Sequence, residues 1–209
     1  MKKIILILFC SFLVLSCSQD ETGNVSKITY YPDVSINGNS FIVLNQGDPY
    51  TDQGALAFAG TEALDVTTTG SVNPSTTGVY KITYSAVNVD GFSASKTRTV
   101  IVISTAPSNI NLSGTWYRNG NANNITQISD RVYQTDNATG YTTGNLNNLV
   151  MTFYNLDDVK LYAPYKENAS ATGISAESNV GTIVNNNSFN WVIYASGFFG
   201  TSTRNFTRP

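Results

Sequence analysis

Val79-Tyr-Lys-Ile-Thr-Tyr84, then Asp90-Gly91, then Thr97-Arg-Thr-Val-Ile-Val-Ile103 is the stretch whose reading decides the fold. Both runs are short and rich in β-branched and aromatic residues, which suit a pleated, half-buried surface. A strand sends successive side chains to opposite faces, so Tyr80, Ile82, Tyr84 and Ala86 share one face. Asp90-Gly91 lies between the runs and reads as a hairpin turn. Outward from this pair, residues 41–44 and 55–58 have the same character and are bounded by Gly, Pro, Asn or Asp. No segment carries a sustained helical period with caps. Short strands separated by turns over residues 28–104 predict a small β-sandwich.

The pattern changes at residues 105–110, where Ala106-Pro107-Ser108-Asn109 forms a polar, proline-containing linker. Residues 111–209 are richer in aromatics and asparagine and contain candidate strands at 114–118, 125–128, 131–135, 149–154, 159–162, 181–184, 189–194 and 203–207. Loops are expected at 119–124, 136–148, 164–178 and 185–188. This number of strands with mostly short loops fits a second antiparallel β-sandwich or a small β-barrel, so the chain reads as all-β.

The N-terminus has a different task. Met1-Lys2-Lys3 is followed by an apolar run from Ile4 to Leu15, and Val14-Leu15-Ser16-Cys17 closes it. The run suits a signal-peptide core and falls short of the ~20 residues that span a bilayer. A cysteine directly after this core is the acceptor that lipoprotein processing requires. Residues 1–16 therefore read as a lipoprotein signal peptide, Cys17 as the lipidated residue, and residues 17–27 as a flexible tether. Resemblance to bacterial lipoproteins implies cleavage before Cys17, and Ser18 in place of aspartate implies outer-membrane sorting. Asp20-Glu21 resembles the export signal of surface lipoproteins in Bacteroides-type bacteria.

Composition narrows the chemistry. Cys10 and Cys17 are the only cysteines, and Cys10 leaves with the signal, so the folded part has no disulfide and no thiol nucleophile. The sequence contains no histidine, which excludes Ser-His-Asp and Cys-His catalysis and His-ligated zinc or iron. Charged residues make up 12%, with a net charge of -2, which argues against nucleic acid as a partner. Asp48, Asp52 and Asp90 lack the spacing of a calcium loop, so no metal and no cofactor is expected. A glycosidase would need two cooperating carboxylates from Asp130, Asp136, Asp157, Asp158, Glu167 and Glu177. Asp157 and Asp158 are adjacent and would point apart in a strand; they read instead as flanking a turn before Val159. The chain is thus expected not to be an enzyme.

Gly47…Tyr50-Thr-Asp52-Gln-Gly54…Ala57, Gly70-Ser-Val72, Gly78-Val-Tyr80…Tyr84-Ser-Ala86 and Gly91…Ala94…Arg98-Thr-Val100-Ile-Val102 resemble a bacterial immunoglobulin-like domain of surface proteins and some crystal toxins. The resemblance implies a spacer domain, with Tyr80 and Tyr84 on the core face. Tyr50 and Asp52 are expected to lock a loop through bonds to backbone. Asn88 and Phe92 depart from the family's usual Asp and Asn, which weakens a calcium-binding role for that hairpin. The two-part layout resembles Bacteroides-type surface lipoproteins of uncharacterised function, supported by Leu112-Ser-Gly-Thr-Trp-Tyr117 and Val132-Tyr-Gln-Thr-Asp136…Gly140-Tyr141. Gly114-Thr-Trp116 also resembles the Gly-x-Trp opening of lipocalins, although Trp116 would equally plug one end of a sandwich or barrel.

Sugar sites set an aromatic face against the apolar side of a ring and bond hydroxyls with amides and carboxylates. Tyr162, Tyr165, Glu167 and Asn168 share one expected loop, Tyr141 lies in another, and Trp191 sits in a candidate strand. These six are the candidate glycan-binding residues; the same aromatics would also serve to fill a core. The reading is a lipid-anchored, outer-membrane, surface-exposed binding module for extracellular polysaccharide. Its partners would be the membrane, through the anchor, and proteins of an uptake system. A structural or adhesive lipoprotein is the alternative, with Phe198-Phe199 between glycines as its exposed patch. Cys17→Ser is expected to move the protein expressed in its host from the detergent phase to the aqueous phase on phase partitioning, with the folded part intact.

Overall fold

A computed structural model of the chain describes residues 28–195 and 197–209. The signal peptide, Cys17 and the tether lie outside the described residues. Among the described residues there are seventeen strands and no helix.

The first seven strands are β1 (Pro32–Ile36), β2 (Phe41–Asn45), β3 (Ala55–Ala59), β4 (Glu62–Ala63), β5 (Thr67–Thr69), β6 (Gly78–Val87) and β7 (Ser93–Ile103). β1, β3 and β4 form one sheet; β2, β7, β6 and β5 form the other, in that order. β6 and β7 pair antiparallel along their full lengths, while β2 lies parallel to β7. The turn between them is set by Asn88, whose Oδ1 accepts the amides of Asp90 (3.1 Å) and Phe92 (2.8 Å). Val34, Ala57, Ile82, Tyr84 and Ala86 meet in the sandwich core. Tyr80, expected among them, is only half-buried near the start of β6, and its hydroxyl donates to the Thr76 carbonyl (2.8 Å).

In the absence of a disulfide, the sandwich is tied by an ion pair between a buried arginine and a partly exposed aspartate. Arg98, 1% exposed, bonds the Asp52 carboxylate, the Tyr84 hydroxyl (2.8 Å) and the carbonyls of Asn37 and Asn39. Asp52 also accepts from Tyr84 (2.5 Å) and Tyr50 (3.1 Å). Burial alone would raise the Asp52 pKa, but the bonds from Tyr84 and Tyr50 and the Arg98 charge hold it below the ordinary value. The expectation that Tyr50 and Asp52 bond loop backbone is corrected: their partners are side chains, because a buried guanidinium needs a paired charge.

The remaining strands are β8 (Gly114–Arg118), β9 (Asn121–Ser129), β10 (Val132–Thr135), β11 (Met151–Asn155), β12 (Lys160–Tyr162), β13 (Glu177–Ser178), β14 (Gly181–Asn185), β15 (Ser188–Trp191), β16 (Ile193–Tyr194) and β17 (Arg204–Thr207). Eight of them close an antiparallel barrel in the order β8-β9-β10-β11-β12-β14-β15-β17, an up-and-down meander with β13 and β16 paired beside it. Closure leaves none of these eight barrel strands as a sheet edge. The expected loop at 119–124 is shorter than its asparagines suggest. Asn119 (φ 51°) and Gly120 (φ 77°) make a two-residue turn, and β9 begins at once. Trp116, Tyr133, Phe153, Phe189, Trp191 and Phe206 fill the interior, each 1% exposed or less. Phe189 stacks on Phe206 at 5.0 Å and meets Trp116 edge-on at 4.8 Å. Arg208 lies over the Trp116 ring at 4.6 Å and bonds the carbonyls of Ser113 and Asn111, tying the last strand to the first.

Residues 31–209 form one compact unit, and two features join sandwich to barrel. One is an apolar seam: Ile101, Leu156 and Tyr162 are buried together with Phe41, Val79, Ile103 and Tyr154 packed around them. The other is the turn between β11 and β12. Asp157 accepts from Thr77 of the sandwich (2.8 Å) and from Lys160 (2.8 Å). Asp158 (φ 67°) accepts from Ser108 (2.6 Å), the Asn109 amide (2.9 Å), Asn155 (2.9 Å) and the buried Arg131 (2.8 Å). Arg131 also bonds the Ala106 carbonyl (2.9 Å), so residues 105–110 are pinned by side chains from the barrel.

Burial pushes both aspartates up, but the bonds to Lys160 and Thr77, and to Ser108, Asn109, Asn155 and Arg131, outweigh it and hold both pKa values low. A depressed carboxylate contributes stability above its unfolded pKa, about 4, and loses it as pH falls through the lower folded value. Thermal unfolding should therefore be steady from neutrality to about pH 4 and weaken steeply below that range. Asp158→Asn should cost about 1–3 kcal/mol at pH 7 and flatten part of that acid dependence, as calorimetry across pH would show.

Candidate interdomain binding cleft

The outer face of the β2-β7-β6-β5 sheet is divided along its length. Near Gly78 it carries Val79, Ile101 and Ile103, which the barrel covers. Further along β6 and β7 the same face carries Lys81 opposite Thr99 and Thr83 opposite Thr97, with Phe41 beside Thr99 on β2. The polar half cannot seal against the barrel without stranding its hydroxyls, so a gap remains.

That gap is a cleft of about 460 Å³, lined on the sandwich side by Ser40, Phe41, Lys81, Thr83, Thr97 and Thr99 and on the barrel side by Pro164, Tyr165 and Glu177. The barrel wall is an excursion between β12 and β13. Its base is closed where the Ser178 amide bonds the Ala163 carbonyl (2.9 Å), and Lys166 and Ala176 exchange backbone bonds (2.8 and 3.0 Å). Tyr165 is 65% exposed. Lys81 and Glu177 face each other across the gap at 3.5 Å, and the hydroxyls of Thr83 and Thr97 lie 3.0 Å apart. The cleft thus offers an aromatic face, a row of hydroxyls, one cation and one anion. Glu177 is the one carboxylate lining it among the described residues.

The six sequence candidates are dispersed. Tyr165 stands in the cleft. Tyr162 does not: it is 2% exposed in the seam beneath, with its hydroxyl lacking a hydrogen bond of good geometry. Burial pushes that hydroxyl up to about 12, Glu177 adding to the rise and Thr99 opposing it. Trp191 is fully buried in the barrel, its indole donating to the Ala138 carbonyl (3.0 Å). For both rings the core-filling role replaces the expected ligand face, because the barrel interior and the seam each need large apolar volume. Glu167 and Asn168 form an exposed turn that does not line the cleft. Tyr141 lies at the long 136–148 loop, edge-on to Phe199 at 5.5 Å, which meets the exposed Phe198 at 4.8 Å. A smaller cleft of about 300 Å³ beside this loop is lined by Asp136, Asn137, Thr143 and Asn148 among others. Asp136 there is already engaged by Asn124 through two bonds (2.7 and 2.8 Å).

The sequence reading missed the sandwich wall entirely. One signal for it exists: Val100-Ile-Val-Ile103 is continuously apolar, which marks a strand end covered on both faces. The switch from Thr97 and Thr99 to Ile101 and Ile103 marks where the cover stops.

Residues 34–102 match the family model described as bacterial surface protein, Ig-like domain. Among solved structures, the chain is similar to a lipoprotein from Bacteroides thetaiotaomicron, with 22% identity, TM-score 0.38, and coverage of 84% of this chain and 98% of that one. It is also similar to the catalytic and CBM51 domains of ZmpB from Clostridium perfringens, with 10% identity and TM-score 0.33 over 87% of this chain and 21% of that one. No curated protein matches the chain.

The Tyr162 hydroxyl has Thr99 as its one neighbouring partner and no well-aligned bond to it, so Tyr162→Phe should change stability by less than about 1 kcal/mol in either direction. Tyr162→Ala should cost about 3–5 kcal/mol by opening the seam. Urea denaturation of the two variants distinguishes a seam residue from a ligand residue, which would show the opposite ranking in binding and little change in stability.

Proposed function

We propose that this chain is a lipid-anchored surface protein of the bacterial outer membrane, and that its interdomain cleft is a non-catalytic binding site for an extracellular glycan serving an uptake system. The cleft carries the proposal. Tyr165 presents an exposed ring against which the apolar face of a sugar can lie. Opposite it, Ser40, Thr83, Thr97 and Thr99 offer donors and acceptors to ring hydroxyls, and Lys81 and Glu177 supply charge-assisted bonds of both kinds. Two rigid walls limit the ordering cost of binding. The surface location is supported by the signal-like N-terminus ending at Cys17 and by the family matched at residues 34–102. Uptake-system proteins are the partners this reading calls for, because a protein held at the membrane has to pass its ligand on.

The mature chain should be retarded in affinity gels containing a recognised polysaccharide. Tyr165→Ala should weaken that retention at least tenfold, equivalent to about 1.4 kcal/mol, with unchanged thermal stability. Thr97→Val should weaken it less. Absence of retention across plant, host and microbial glycans, or equal retention by Tyr165→Ala, would overturn the assignment.

A further inference from the structure

The sandwich is polarised. Its Val79 and Ile103 end holds the barrel, and β6, ten residues long, carries the chain about 30 Å to the opposite end. At that far end the β6–β7 turn exposes Val87, Val89 and Phe92, with Val89 80% exposed. Tyr31, also exposed, packs edge-on against Phe92 at 4.7 Å. A cluster of exposed aromatic and aliphatic side chains on a hairpin tip contributes nothing to the sandwich core, and such patches mark contact surfaces. Tyr31 is also where the chain enters this unit from its N-terminal side.

We propose that this tip is a membrane-contacting surface: Tyr31, Val87, Val89 and Phe92 dip into the interface of the bilayer to which Cys17 is anchored. The proposal rests on the lipid-anchor reading for its occupant. The chain from Cys17 to Tyr31 reaches at most about 50 Å when fully extended, so the anchor keeps the tip within range of the lipid. The Tyr31 ring suits the headgroup level, where its apolar body and polar hydroxyl are both accommodated, and Phe92, Val87 and Val89 supply purely apolar contact beside it. Asp90 lies exposed in the same turn, and its charge limits insertion to a shallow depth and gives no preference for anionic lipid. Contact at this end would stand the molecule upright, with the barrel and cleft held away from the membrane.

The test uses the mature chain with Cys17→Ser, which is then free of cysteine, and with Val89→Cys carrying a polarity-sensitive fluorophore. An N-terminal histidine tag holds it on phosphatidylcholine vesicles doped with nickel-chelating lipid, so attachment does not depend on acylation. The label should shift to the blue, and a lipid-borne quencher should quench it at least threefold more than the same label placed by Val184→Cys on the barrel. Phe92→Ser with Tyr31→Ser, or Val87→Ser should that pair fail to fold, should remove the difference. Equal quenching at the two sites overturns the proposal, as does a dimer that shields the label at position 89 without vesicles. Mass spectrometry of Cys17 in protein from host membranes tests the anchor separately, so failure of one reading is distinguishable from failure of the other.

Discussion

The Asp157–Asp158 turn is the constraint on which the arrangement of this protein depends. Two consecutive carboxylates of the barrel are turned to different clients, Asp157 to the sandwich through Thr77 and Asp158 to the connecting segment through Ser108 and Asn109. Arg131 closes the set from the turn between β9 and β10. Each carboxylate is partly desolvated and would be costly there without its donors. Together with the apolar seam at Ile101, Leu156 and Tyr162, the turn makes two β domains into one body. A cleft between two walls can be selective only if the walls keep their distance, and this junction sets it.

The same economy of means runs through each domain. With no cysteine after Cys17, the sandwich uses Arg98, Asp52, Tyr84 and Tyr50 as its crosslink. The barrel relies on shape: its aromatic rings fill the interior edge to face, and Arg208 over Trp116 secures the seam of closure. A filled interior leaves the outside of the barrel and its junction as the surfaces available to a ligand. At the junction, Tyr165 faces the threonines of the sheet across a cleft.

Much of the fold is legible in the chain because strands report themselves locally. The alternation of Tyr80, Ile82, Tyr84 and Ala86, the Asp90-Gly91 turn and the Gly114–Arg118 strand need only their neighbours to be read. The short strands β4 and β13 went unread because two residues carry no period, and Asn119-Gly120 was overshadowed by the asparagines around it. The site was far less legible. Tyr162 and Tyr165 are three residues apart in one segment, yet one is sealed in the seam and the other stands in the cleft. Composition marks both as sugar-binding material; only the position of the other wall separates them.

The order of residues alone sets the class of structure and the chemistry that is ruled out: all-β from period-two patterning, no disulfide among residues 28–209, and no histidine-dependent site in this chain. These depend on residue identity and near neighbours alone. Tertiary structure decided which aromatics are core and which are surface, and where two distant faces meet. Thr97 and Thr99 become cleft residues because Ile101 and Ile103, two and four positions further along the same strand face, are covered by a barrel that begins beyond the connecting segment. Contact between surfaces so far apart in sequence is a long-range packing property, and no local pattern of residues encodes it.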